Sequence, residues 1–181
     1  DDAGIFKLND KVALVQTVDV FAPCVDDPYL FGQIAAVNSV SDVYAMGGRP
    51  LTALSIVGFP IDDYDGVMLT EMLRGGIDKM AEADCPVIGG HSINDVETKM
   101  GFAVTGMIEV DQVVQRGRAR AGDMLVLTKP LGTGMVCFGA QIGRIGTGAL
   151  DEVGRSMATL NRDGADLMLK YGAHAATDVT G

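Results

Sequence analysis

The order of hydrophobic patterns along this chain predicts an α+β fold. A strand hairpin, a long helix, a strand, a second helix and two more strands follow one another, and a further strand and helices close the chain. Three observations carry this reading. Residues 11–20, KVALVQTVDV, alternate apolar and polar with the period of a strand. Phe31, Ile34, Ala35, Asn38, Asp42 and Ala45 recur at helical spacing on one stripe, with Tyr44 and Arg49 off it. Residues 50–60, PLTALSIVGFP, are nearly continuous in hydrophobicity between two prolines, as in a central strand.

With 181 residues, 48% of them hydrophobic, the chain is long enough for a sizeable core. A net charge of −10 argues against nucleic acid, whose binding needs clustered Lys and Arg. Three cysteines, Cys24, Cys85 and Cys137, are an odd number, widely spaced and without a C-x-x-C pair. They make neither a disulfide framework nor a zinc site, and they suggest a reducing, cytoplasmic setting. No apolar run approaches the roughly 18 residues of a membrane helix, and the chain does not open on a signal-peptide pattern.

The elements follow in order. Gly4 to Leu8, a turn at Asn9-Asp10 and Lys11 to Val20 form the hairpin, and one face of its second strand ends in Thr17 and Asp19. Asp19 there is equally a turn former. Asp26-Asp27-Pro28 suits the start of a helix. That helix carries Gln33 to Gly48 and ends at Gly47-Gly48, with Pro50 barring its continuation. Asn38 and Asp42, four residues apart on its core face, can reach one point. A carboxylate on such a face needs a cationic partner or a metal, and either satisfies this one.

Asp62 to Asp84 reads as the second helix, interrupted by Gly75-Gly76. The two glycines cost about 2 kcal/mol against alanine, which close backbone packing would offset. Strands at Pro86 to Ile93 and Lys99 to Glu109 flank a polar turn, and Gly89-Gly90-His91-Ser92 lets a ligand approach the backbone. A bulge with a surface histidine is the commoner explanation of such a stretch. Val113 to Gly122 is a basic crossing into a second unit. Asp123 to Lys129 reads as a strand, Pro130 to Gly134 as a Gly-rich turn that could face an anion, and Met135 onward as helix. The turn is not a Walker loop, because its lysine precedes the glycines. Asp151 to Tyr171 is expected as one long amphipathic helix, and Ala173 to Gly181 as a strand or turn carrying a solitary Asp178.

Taken together, DDAG (1–4), QTVD (16–19), FGQIAAVNSVSDVYAMGGRPLTAL (31–54), GGHSI (89–93), GFAVTG (101–106), LTKPLGTG (127–134) and TDVTG (177–181) resemble the selenophosphate synthetases. These selenide, water dikinases belong to the aminoimidazole ribonucleotide synthetase-like superfamily. The resemblance implies a two-layer, ATP-binding N-terminal domain over residues 1–118 that pairs its sheet in a homodimer. Residues 119–181 would begin a second α/β domain that is cut short. The implied reaction turns selenide, ATP and water into selenophosphate, orthophosphate and AMP. Magnesium would be held by Asp2, Asp42 and Asp178. The nucleotide would be held by Asp19, with Thr17 and Asn38 beside it, and by Gly89, Gly90, His91, Ser92 and Ile93. The family's reactive Cys or selenocysteine and its Lys lie ahead of DDAG, so no catalytic nucleophile is expected here and Cys24 is expected to be an incidental thiol. A thiamine monophosphate kinase or aminoimidazole ribonucleotide synthetase would share Asp2 and Asp42, and a degenerate nucleotide-binding paralogue is a third reading.

Overall fold

The computed structural model describes residues 1–180. Gly181, which closes the TDVTG stretch, lies outside the described residues. Strands β1 (Gly4–Lys7) and β2 (Val12–Phe21) form the expected antiparallel hairpin. The Asn9 side chain fixes its turn by accepting from the Lys11 and Val12 amides at 2.9 and 3.1 Å. β5 (Lys99–Glu109) pairs with β2 along the whole length of that strand. β3 (Arg49–Phe59) lies antiparallel to β5 on one side and parallel to β4 (Val87–Asn94) on the other. The sheet order is therefore β1-β2-β5-β3-β4. β4 and β5, neighbours in sequence, do not pair, because β3 sits between them.

The alternation on β2 sorts its side chains. Ala13 and Val15 are buried beneath the helices and Thr17 and Asp19 are half-buried beside them, while Val18 and Val20 stand on the open face. Phe6, Leu54 and Met107, in cross-strand register with that face, are also exposed.

Helix α1 (Pro28–Ala45) starts where Asp27 accepts hydrogen bonds from the Tyr29 and Leu30 amides, at 2.9 and 3.2 Å. It is buried almost all round. Ala36, Val37, Val40 and Val43 are covered along with Phe31, Ile34 and Ala35, and Tyr44, which the stripe left outside, is 4% exposed. A one-sided stripe underestimates this helix because it is central, with the sheet on one side, α2 (Gly66–Glu82) on another and the C-terminal helices on a third. The two helices approach through glycine. A Cβ on Gly32 would lie 1.9 Å from the Met72 carbonyl oxygen, and one on Gly75 would lie 2.0 Å from that of Tyr29. After α1 the chain turns at Gly47, whose φ is +83°.

The C-terminal residues depart from expectation in three places. Asp123 to Lys129 is not a strand, and Met124, Leu125, Val126 and Leu127 are exposed. Among the described residues no strand lies beside it, so its amides and carbonyls have no ladder to join. The expected long helix over 151–171 is two helices, α4 (Thr147–Met157) and α5 (Arg162–Lys170), which follow α3 (Thr133–Gln141). The break between them turns Asn161 and Arg162 onto the first half. Asn161 donates to the Ser41 hydroxyl at 2.9 Å, and Arg162 reaches the Glu82 carbonyl at 2.8 Å and the Asp84 carboxylate at 3.2 Å. Finally, the described part of Ala173 to Gly181 has no regular structure.

Candidate metal and nucleotide site

Four segments bring carboxylates toward the end of β2. Asp42, 7% exposed on α1, accepts a 2.5 Å hydrogen bond from the Thr17 hydroxyl of β2. Asp19, one pleat further along β2, accepts from the Asn38 amide at 2.7 Å. The spacing of four read from the sequence thus puts Asn38 and Asp42 over alternate residues of the same strand. From the far end of the chain Asp178 comes close enough for its charge to act on both Asp19 and Asp42. It is not solitary. Beside it, the Thr177 hydroxyl donates to Asp2 Oδ1 at 2.7 Å.

Among the described residues no Lys, Arg or His pairs with Asp19, Asp42 or Asp178. Of the two ways to satisfy Asp42, the cationic side chain is therefore not the one used. Burial pushes the Asp42 pKa up to about 7; the Thr17 hydrogen bond pulls against that, and the Asp178 and Asp19 charges add to it. Asp19 is also raised, first by burial and then by Asp178, while Asn38 lowers it. Asp2 has an 8% exposed side chain whose Oδ2 is buried and has no hydrogen-bond partner.

These donors suit a hard divalent cation in kind: oxygen ligands, mutually repelling, one of them orphaned. Among the described residues no three His, Cys, Asp or Glu side chains form a ligand set on their own. Magnesium does not require one, because it keeps waters and takes phosphate oxygens alongside one or two carboxylates.

A family model for the N-terminal domain of AIR synthase related proteins matches residues 1–108. The chain belongs to the AIR synthase-related family. Over all its 181 residues it is 49% identical to the selenide, water dikinase of Pelobacter propionicus, covering 52% of that protein. It is 48% identical to that of Geobacter metallireducens, covering 53%, and 47% identical to selenide, water dikinase 2 of Peptoclostridium acidaminophilum, covering 52%. The chain thus spans about half the length of these relatives. Among solved structures, AaThiL complexed with AMPPCP and TMP matches with a TM-score of 0.82 at 24% identity, over 97% of this chain and 58% of that one. The thiamine-monophosphate kinase of Stenotrophomonas maltophilia matches at 0.78 and 22%, over 99% and 60%. At such identities the likeness is one of fold.

The other residues expected to touch a nucleotide stand apart from the carboxylates. Gly89, Gly90, His91, Ser92 and Ile93 lie on β4, the edge strand, and are exposed. Asp19 is in register with Phe102, Phe102 with Ser55 and Ser55 with Gly90, so three strand spacings, about 14 Å, separate the two groups. Gly90, His91 and Ser92 instead line a cleft of about 250 Å³ with Ser55, Val57, Leu69 and Leu73, between the sheet edge and α2. Within one chain, Asp19 and the β4 residues are thus two separate groups.

The Cys24 thiol is pushed up to about 12 by burial and by Cys137 beside it, and burial lifts Cys85 to about 11. At neutral pH both are thiols, so neither is an activated nucleophile. Sequence reasoning assigned no role to Thr177. Its signal was only the placement of a hydroxyl next to Asp178 in TDVTG.

Proposed function

We propose that this chain is the ATP- and magnesium-binding part of a cytoplasmic selenide, water dikinase, which makes selenophosphate, orthophosphate and AMP from selenide, ATP and water. The reading rests on one observation above the others. Asp19, Asp42 and Asp178 are gathered from a strand, a helix and a remote segment with no cation among them, in a chain whose curated relatives carry that name. Such a cluster is unfavourable unless a cation joins it.

In this reading Asp2, Asp42 and Asp178 hold magnesium. Thr17 and Asn38 each fix one carboxylate by donating to one of its oxygens. Asp19 orients the nucleotide beside them, and the β4 backbone from Gly89 to Ile93, about 14 Å away across the sheet, contacts its far end. When bound, magnesium supplies neutralisation of the charge that develops on phosphate during transfer.

The same proposal covers quaternary structure. Phe6, Val18, Val20, Leu54 and Met107 leave one face of the sheet apolar and exposed, and a second copy of the chain covers it. Light scattering of the complete protein at the mass of a monomer overturns that part.

The activity is tested by assaying the complete protein for AMP with and without selenide. Selenide-dependent AMP supports the reading. ADP without selenide dependence assigns the protein to a kinase branch of the superfamily, such as the thiamine monophosphate kinases, and nucleotide binding without turnover assigns it to a degenerate paralogue. Asp42→Asn in the active protein is expected to lower magnesium-dependent ATP consumption by at least about tenfold with the fold intact. Unchanged turnover would make Asp42 a structural carboxylate.

A further inference from the structure

Residues 173–180 have neither helix nor ladder to hold them, yet they carry Asp178 to its place beside Asp42 and Asp19. Two side-chain anchors do the holding. His174 pairs with Asp123 at 2.8 Å and lies 3.4 Å from Arg120, at the start of the segment. Thr177, adjacent to Asp178, donates its hydroxyl to Asp2 Oδ1 at 2.7 Å. That contact joins residues 175 positions apart.

Asp2 has a second suitor. The Arg116 guanidinium stands 4.0 Å from the same Oδ1, on an exposed side chain free to move closer. If Arg116 took that oxygen, the carboxylate would be turned and neutralised. With the Thr177 hydroxyl on Oδ1, Oδ2 stays buried and without a partner, which is the state a ligand oxygen needs before a cation arrives.

We infer that Thr177 is a positioning residue. Its hydroxyl orients Asp2 against the pull of Arg116 and, through the peptide bond to Asp178, couples the placement of both carboxylates. This rests on the magnesium-site reading given above. Partners of this kind, which hold a ligand without touching the ion, typically change metal affinity about 10- to 100-fold when removed.

The test uses the complete protein and Mn2+ alone as probe, followed by electron paramagnetic resonance without nucleotide or turnover. Thr177→Val should weaken Mn2+ binding about tenfold, and Thr177→Ser, which keeps the hydroxyl, should bind as the parent does. Adding Arg116→Ala to Thr177→Val should recover part of the loss. In the metal-free protein, amide hydrogen exchange over residues 173–180 should quicken in Thr177→Val and not in Thr177→Ser. Asp42→Asn is run in parallel. If Asp42→Asn weakens Mn2+ binding and Thr177→Val leaves it unchanged, the positioning role is overturned and the metal site stands. If neither variant changes it, the metal site falls and this inference with it.

Discussion

Residues 1–114 enclose Val15, Phe31, Val40, Met72, Met80, Met100 and Phe102 at 2% exposure or less, whereas among the described residues 115–180 only Cys137, Gly139, Gly154 and Ala158 are buried. The first region is held by a close-packed core between a sheet and two helices. The second leaves Met124 88% and Leu125 97% exposed. It is fastened to the first by Ala158, with Leu150, Met157, Leu160 and Ala165 packed on the same core, and at polar points: Asn161 on Ser41, Arg162 on Glu82 and Asp84, and Thr177 on Asp2. The difference teaches that one side of the candidate site is built into a core, and the other side, Asp178, is delivered by contacts worth about 1 kcal/mol each.

The contrast is broken most sharply at the helix contact. Gly75→Leu would drive a side chain into the Tyr29 carbonyl, at a cost of at least about 3 kcal/mol, so little folded protein should survive in a thermal melt. A melting point within a few degrees of the parent would show that α1 and α2 can separate freely. Next, Met80→Ala, at 0% exposure, should cost about 2–5 kcal/mol in urea unfolding. Leu125→Ala should stay within about 0.5 kcal/mol, and equal costs would erase the distinction between the halves.

The carboxylates give a dependence on pH. Asp42 and Asp19 have folded pKa values above their ordinary ones, so the folded chain keeps protons that the unfolded chain releases. The Asp42 contribution to stability is complete below the unfolded value, near 4, and is lost as pH rises through about 7, and Asp19 acts in the same direction. Urea unfolding of the metal-free protein should therefore show falling stability across that window, and added magnesium should remove much of the fall. A flat profile without metal would mean that neither burial nor repulsion raises the two carboxylates. A more local effect belongs to Asn161→Ala, expected to cost about 1 kcal/mol and to quicken hydrogen exchange in α4 and α5 while leaving α1 unchanged.

What the sequence disclosed was local. The Asp27 cap, the hairpin turn and the alternation that placed Thr17 and Asp19 together depend on residues within a few positions of one another, and all appear in the structure; the glycine pair at Gly75 signalled close packing but not its partner, Tyr29. Where tertiary contacts decide, patterns misled. The 123–129 run has the composition of a strand but no partner strand, and the amphipathic period over 151–171 hides a break that Asn161 and Arg162 use to reach α1 and α2. Asp42 illustrates the middle ground. Its core-facing position was legible from periodicity and its pairing with Asp178 only from the family resemblance, because nothing local links residue 42 to residue 178; the absence of a cationic side chain beside it was not legible at all.

The buried thiols carry a practical consequence. With Cys24 raised to about 12, Cys85 to about 11 and Cys137 raised as well, the folded chain presents almost no thiolate at neutral pH. Alkylating reagents should then mark it only in the moments when it opens. Cys85 sits in the close-packed core and Cys137 on α3, in the half with few buried side chains. Mass spectrometry of the two modification rates would act as a pair of clocks, one keeping time for each region.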